Sequence, residues 1–211
     1  NTADMLIKNN SSLNSSSTFE GATAGSVEIA ASGRFGIESG SSLIAESDNG
    51  GIGGSVSVTA ANIVITDQAT IDVQPLGSGD SDRVDLRALN SITISNDAVI
   101  NASSRGAGNG SIVALSAPDI RLNNGDILGE ADGTGSGSDI VFDATTVSIS
   151  NLSIVNVSST STSADGGDAG IVSIKADVVS IADTEFLLAS RGGGIGGKLE
   201  VVAPDIDLSQ T

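Results

Sequence analysis

Apolar and polar residues alternate in short runs along most of the chain, and these runs return at a regular interval. The clearest run has three alternating positions and ends in Ala, as in Val-Ser-Val-Thr-Ala at 56–60. Its copies begin at positions 27, 56, 84, 113, 140, 172 and 199, so the interval is 27 to 32 residues. Alternation with period two predicts short strands that each bury one face.

Two further alternating runs follow the first one in each interval. The second run begins about seven or eight residues after the start of the first, as in Ile63-Val64-Ile65, and the third is clearest at 69–73 and 98–102. No stretch has the periodicity of a helix. Three strands per repeat predict one coil of a solenoid, in which every strand pairs with its equivalent in the next coil. The expected fold is therefore all-β, a right-handed parallel β-helix of about seven turns, forming a single domain over residues 1–211.

A short polar residue is expected at one corner of each coil. The position two residues after the second strand holds Asn or Asp in six of seven copies, and these side chains tolerate a left-handed backbone. The seven residues are Asn9, Ser39, Asp67, Asn96, Asn124, Asn151 and Asp183. Two positions further on, Ser or Ala is usual, but Asp126 and Glu185 depart from that pattern. A local bulge that turns Ile127 or Phe186 inward would explain both departures.

Gly-rich segments close the repeats and carry the variation in repeat length. They include 77–82, 131–139 and 158–170, and such surface loops are expected to tolerate insertions because loop entropy grows slowly with length. Residues 1–24 and 204–211 form incomplete coils, and no amphipathic helix is available to cap either end. We therefore expect this segment to be part of a longer repeat shaft, or to have neighbours stacked on its ends.

Composition removes many kinds of chemistry. The chain has no Cys and no His, which excludes disulfides, thiol nucleophiles, His-ligated zinc and a Ser-His triad. The chain has nine Lys and Arg residues and 26 Asp and Glu residues, which gives a net charge of −17. Binding of nucleic acid through its phosphates is therefore not expected. No apolar run is long enough to cross a bilayer, and membrane insertion is not expected either.

The remaining motifs favour a passive surface. The acidic loops at 77–82 and 137–139 hint at a calcium β-roll, but the nonapeptides are not in tandem, so solvated turns are favoured. The Gly runs at 50–54 and 192–197 lack the following helix of a phosphate-binding loop and are interpreted as repeat corners. The six Arg residues are spread over the coils, with no Trp or Tyr to stack a sugar. We therefore predict no enzyme activity and no catalytic, cofactor-binding or metal-ligating residues.

The sequence pattern of the repeat resembles that of a known family. The segments Ser-Ile-Thr-Ile-Ser-Asn-Asp-Ala-Val-Ile-Asn-Ala-Ser-Ser at 91–104 and Gly-Ala-Gly-Asn-Gly-Ser-Ile-Val at 106–113 resemble filamentous haemagglutinin-type exoproteins of two-partner secretion systems, especially the Gly/Ser-rich cyanobacterial forms. The secretion-domain motifs of that family, Asn-Pro-Asn-Gly and Asn-x-x-Gly-Ile/Leu, are missing here. The resemblance implies a shaft segment of a secreted, extracellular or cell-surface protein that acts in adhesion.

The expected function is thus a non-catalytic structural shaft of a surface adhesin or extracellular fibre. Its expected partners are flanking repeats of the same chain or end-to-end stacked copies, with surface glycans as a further candidate. Two alternatives stay open. One is a self-assembling filament subunit, which complementary ends would favour. The other is a polysaccharide-active β-helix enzyme, which a groove of clustered acids and arginines would favour.

Overall fold

The computed structural model describes residues 3–48 and 50–209. Asn1, Thr2, Gln210 and Thr211, at the limits of the predicted domain, and Asn49 lie outside the described residues. The described chain contains strands, turns and bends. Its strands are β1 (Met5–Ile7), β2 (Ser12–Asn14), β3 (Val27–Ala30), β4 (Arg34–Ile37), β5 (Ser42–Ile44), β6 (Val56–Ile65), β7 (Thr70–Asp72), β8 (Val84–Asn101), β9 (Ile112–Leu128), β10 (Asp139–Ser150), β11 (Ser153–Asn156), β12 (Ile171–Lys175), β13 (Val178–Ala182), β14 (Thr184–Leu187), β15 (Lys198–Val202) and β16 (Asp205–Ser209).

The strands stack as a parallel solenoid of about seven turns, which confirms the predicted β-helix. Each strand pairs in parallel with its equivalent in the next coil, so that Met5 stands beside Phe35 and Phe35 beside Ile63. Coil 2 holds β3–β5, coil 3 holds β6 and β7, coils 4 and 5 are the long strands β8 and β9, coil 6 holds β10 and β11, and coil 7 holds β12–β14. Coil 1 contributes β1 and β2, and β15 and β16 continue beyond coil 7.

The core is a column of aliphatic side chains that runs the length of the solenoid. In coil 4 the residues with inward side chains are fully buried, at 0 % exposure; they are Val84, Leu86, Ile92, Ile94, Ala98 and Ile100. The intervening positions face outward, so the alternation predicted from the sequence is confirmed. Two Phe side chains, Phe35 in coil 2 and Phe142 in coil 6, are fully buried in the core as well. Stacked branched side chains suit this interior because they pack on their own equivalents.

The predicted polar corner adopts the left-handed conformation in all seven coils. The φ angles are 61° at Asn9, 55° at Ser39, 56° at Asp67, 54° at Asn96, 51° at Asn124, 57° at Asn151 and 48° at Asp183. In five coils the next residue is left-handed as well, namely Asn10, Gly40, Gln68, Asp97 and Leu152. Asn and Asp suit this conformation because their short polar side chains bond locally, which offsets its steric cost.

Coils 5 and 7 have a corner that is one residue shorter, and this explains their unusual acids. Gly125 pairs with Ala98 and Thr184 pairs with Ser153, so Asp126 and Glu185 fall on outward rows. Ile127 is consequently buried and Phe186 packs against the core, as expected. The prediction of a bulge at these corners is wrong. The corners of coils 5 and 7 contain one residue fewer than those of coils 4 and 6, and not one residue more.

One glycine in each of six successive coils forms a column in which the coils approach closely, and Ala22 holds the equivalent position in coil 1. The column consists of Gly51, Gly79, Gly108, Gly135, Gly167 and Gly194. A Cβ atom on any of them would overlap the backbone carbonyl oxygen of the equivalent residue in the preceding coil. The Gly-rich segments are therefore less tolerant than the sequence suggested, since one position in each has no room for a side chain.

Candidate functional site

Asn and Asp residues cap the ends of the third strands with local hydrogen bonds. Asn14, Asp72, Asn101 and Asn156 each accept, through Oδ1, a bond from the backbone N–H two residues further on, at distances of 2.7, 3.0, 3.2 and 2.9 Å. These Asx turns stack on one edge of the solenoid. The sequence signal that could have found them is the motif Asx-x-Ser/Gln at this point of the repeat, which was not among the predicted features.

Two carboxyl groups from neighbouring coils meet beside this row of caps. The side chains of Glu46 and Asp72 share a hydrogen bond, and burial, followed by the Asp72 charge, raises the pKa of Glu46 to about 7. Burial also raises the pKa of Asp72, although hydrogen bonds from Gln74 N–H, the Asn101 amide and Glu46 oppose that rise. Asn101 Nδ2 donates to both Asp72 oxygens at 3.3 Å. The two carboxyl groups therefore titrate as a coupled pair that holds a proton more tightly than an isolated carboxyl group would.

An arginine lies close to this pair and to a second group of acids. A cavity of about 200 Å³ is lined by Gln74, Ser103, Ser104, Arg105, Glu130, Asp132 and Thr160. The charge of Arg105 opposes the rise in the pKa of both Glu46 and Asp72, and burial, followed by the charge of Asp132, raises the pKa of Glu130. We call Glu46, Asp72, Arg105, Glu130 and Asp132 the acid–arginine groove; the last three line the cavity, and Glu46 and Asp72 are linked to it through the charge of Arg105. The sequence did not predict this groove because its members come from four different coils.

The groove departs in geometry from a glycoside hydrolase site. In such enzymes the two carboxyl groups stand about 5–9.5 Å apart, so that a sugar or a water fits between them. Glu46 and Asp72 are hydrogen-bonded to each other, and Asp72 already accepts bonds from Gln74 and Asn101. The arrangement holds a proton between two coils, and it leaves no gap for a glycosidic bond.

Most aromatic side chains are also too deeply buried to stack on a sugar ring. Phe35 and Phe142 are fully buried and Phe186 packs against the core, while Phe19 is exposed in coil 1. Stacking on aromatic faces is a common way to hold a sugar ring or a base. The acid–arginine groove therefore offers only polar and charged contacts to a ligand.

The acids of the predicted loops tie neighbouring coils together. Asp80 Oδ1 accepts a bond from Asn109 N–H at 2.7 Å, Asp139 Oδ1 from Ile171 N–H at 2.8 Å, and Asp168 Oδ1 from Ile195 N–H at 2.6 Å. Asp4 and Asp126 make the same kind of bond to the amides of Arg34 and Ile154, at 2.7 and 3.0 Å. These charge-assisted bonds satisfy amides where the strand ladder is interrupted.

Among the described residues, the acidic side chains do not gather into a cluster that resembles a metal site. Within 3–48 and 50–209, no three Asp or Glu side chains converge as the ligands of a cation would. That part of the chain also lacks any helix of the length and apolar character needed to cross a bilayer. Calcium independence stays a prediction, which thermal melts with and without calcium can test.

The outward arginines of the first and second strands pair with acids of their own strand. Arg87 Nη2 lies 2.9 Å from Asp85 Oδ2, and Arg121 Nε lies 2.9 Å from Asp119 Oδ2. Their guanidinium groups are largely exposed, so these pairs contribute little stability. Their outward placement agrees with the predicted alternation, whereas the association of Arg105 with four acids does not follow from its position in the chain.

Comparison with known proteins identifies no relative: no protein-family model, no curated protein and no solved structure matches the chain. The resemblance to filamentous haemagglutinin-type exoproteins therefore stays a hypothesis.

Proposed function

We propose that this chain is a non-catalytic structural shaft of a secreted cell-surface adhesin or extracellular fibre. The observation that carries the proposal is the continuous core, which extends from Ile7 in coil 1 to Val179 in coil 7. Three parallel ladders surround that core, and the side chains of Asp80, Asp126 and Asp139 add bonds between coils. A continuous core with in-register ladders makes a stiff rod, because every coil is held by both neighbours.

The expected partners of such a shaft are further coils. At the last described coil, Leu199 and Ile206 are 39 % and 45 % exposed, although the residues paired with them in coil 7, Val172 and Val179, are fully buried. The outer edges of β15 and β16 carry backbone groups that could pair with another parallel strand. Flanking repeats of the same chain, or end-to-end copies, would cover this surface. Surface glycans remain a further candidate partner, and we propose no nucleic-acid or membrane-inserted state for so acidic a chain.

The proposed location is outside the cell. A Cys-free acidic chain stays soluble before folding and can then fold by adding coil to coil. Immunogold labelling of intact and permeabilised source cells tests this location. We expect label on the surface of intact cells, and label only after permeabilisation would overturn the proposal.

The mechanical role can be measured on the purified chain. Limited proteolysis of the folded protein should cut only at exposed loops and leave the ladders intact, since buried backbone resists proteases. Pulling single molecules from the two ends should give high unfolding forces with coil-sized steps. Release of the whole chain at low force would show that it cannot bear load as a shaft.

The enzyme alternative has one observation in its favour, the acid–arginine groove. If the groove cleaves polysaccharides, the native protein will release reducing ends from acidic or neutral glycans, and Glu130→Gln and Asp132→Asn, at the two acids that line the cavity, will not. Equal inactivity of all three proteins would support the passive role.

The filament alternative predicts that copies associate through contacts between the first and last coils. The sedimentation coefficient should then rise with protein concentration.

A further inference from the structure

Leu152 occupies a backbone conformation that a leucine rarely adopts. Its φ angle is 63°, in the left-handed region, where a branched apolar side chain gains no local hydrogen bond to offset the steric cost. The equivalent residues in other coils are Asn10, Gly40, Gln68 and Asp97. The side chain of Leu152 is also 77 % exposed. A strained and exposed leucine therefore stands where the other coils place a polar residue or glycine.

The shorter corner of coil 7 leaves a groove beside this leucine. Coil 6 turns with two left-handed residues, Asn151 and Leu152, whereas coil 7 turns with Asp183 alone. The resulting step forms a cavity of about 460 Å³, which is lined by Leu152, Ile154, Asp183, Thr184 and Glu185. We call these five residues the Leu152 groove. Its volume lies in the range of sites that hold a small ligand or a side chain.

Leu152 and Ile154 give the groove an apolar wall, and its rim is acidic. Asp183 and Glu185 contribute two carboxyl groups, and Asp126 stands next to Ile154 in the adjacent coil. No lysine or arginine is among the lining residues. The corresponding corner of coils 1 to 4 forms a cavity lined only by Asn, Asp, Gln, Ser and Gly, which has no apolar wall.

We propose that the Leu152 groove binds an extended segment of another protein, in which an aliphatic side chain is flanked by lysine or arginine. The aliphatic side chain fits against Leu152 and Ile154, and the flanking cations complement Asp183 and Glu185. Charge argues against a second copy as the occupant, because each copy carries a net charge of −17. This lateral site goes beyond the shaft role and does not depend on it.

The probe for this site is a blocked pentapeptide of alternating lysine and leucine, titrated into the ¹⁵N-labelled full chain at 150 mM salt. Two peptides of the same length serve as references, one of alternating lysine and serine and one of alternating glutamate and leucine. We expect saturable shifts of the amide signals at 152–154 and 183–185 with the lysine–leucine peptide alone.

Two matched leucine variants separate binding from folding. Leu152→Asn should weaken binding by at least about tenfold, because the loss of an apolar contact of this size is worth that much. It should leave the melting temperature unchanged or higher, since Asn accepts the left-handed conformation more readily. Leu89→Asn removes another leucine that is 74 % exposed but lies outside the groove. This control should change the dissociation constant by less than about twofold.

Several results would overturn the proposal. Equal shifts with the lysine–serine peptide would show that charge alone attracts the probe. Equal shifts with the glutamate–leucine peptide would show that the acidic rim selects nothing. Unchanged binding by Leu152→Asn, shifts spread over all acidic loops, or no saturation at millimolar peptide would exclude the groove as the site. A dimer that disappears in Leu152→Asn would identify a second copy as the occupant instead.

Discussion

The glycine column makes the sharpest prediction for folding, at Gly108 in the middle of the solenoid. A Cβ atom on Gly108 would overlap the carbonyl oxygen of Gly79, and it would also meet the backbone nitrogen of Asp80 at 3.1 Å. Both obstacles are backbone atoms, so no side chain can rotate away to make room. Coils 3 and 4 must separate locally to accept the methyl group of Gly108→Ala.

The cost can be worked out from the bonds that such a separation disturbs. Asn109 N–H bonds to Asp80 Oδ1 at 2.7 Å, and Ser81 N–H bonds to Asn109 carbonyl oxygen at 2.9 Å. Each is worth about 0.5–1.5 kcal/mol, and the steric strain adds about 1–3 kcal/mol. We therefore expect Gly108→Ala to lower the free energy of unfolding by about 2–6 kcal/mol, mainly because it raises the free energy of the native state.

Gly106→Ala, two residues away, is the matched control. Its Cβ would come no closer than 3.4 Å to the Gly77 carbonyl oxygen, but the residue has a φ angle of 71°. Only the left-handed conformation is then penalised, by about 1–2 kcal/mol. Urea unfolding followed by circular dichroism measures both variants. A loss for Gly108→Ala that is equal to or smaller than the loss for Gly106→Ala would refute the close-contact argument.

Three further predictions follow from the core, the carboxyl pair and the loops. Ile94→Asp places a charge at a position with 0 % exposure and should abolish the cooperative transition in circular dichroism, whereas Asp85→Ser should cost at most about 1 kcal/mol because its partner Arg87 is exposed. The pKa of Glu46 is about 7 in the folded protein against a usual 4.5, so the folded state holds a proton that the unfolded state releases, and stability should fall as pH rises between these values. The full shift corresponds to about 3 kcal/mol, which solvent screening of this partly exposed side chain reduces to about 1 kcal/mol; Glu46→Gln should remove that fall in urea melts at pH 5 and 8.5, and an unchanged pH profile would contradict the shared proton. Millimolar calcium should raise the melting temperature no more than magnesium at equal ionic strength, and a larger rise would reveal a structural calcium site.

Repeat length and strand alternation are local properties of the chain, and this is why they could be predicted. The start of each repeat can be found from three alternating apolar residues, and the inward positions of β8 follow from the same alternation. The corner at Asn96 is recognisable because a left-handed turn demands a particular residue type at that point. Even the departure at Asp126 is visible as a break in the pattern, although its cause is not.

The acid–arginine groove cannot be predicted in the same way. Glu46 and Asp72 belong to different coils, and they meet only because the chain between them has the length that brings β7 beside β5. Arg105 reaches them from a third coil. The spacing of residues along the chain does not predict which carboxyl groups come into contact, because that contact depends on the lengths of several loops together.

The solenoid, the alternation of its core and the seven polar corners follow from the amino-acid sequence alone, because each depends on neighbours within one repeat. Three features emerge only when the coils are stacked: the glycine column, the proton held between Glu46 and Asp72, and the step that exposes Leu152 beside a shorter corner. Those features join residues of different coils. Their alignment is set by the register of the stacked backbones, so one deleted residue can move an acid to the surface and open a groove.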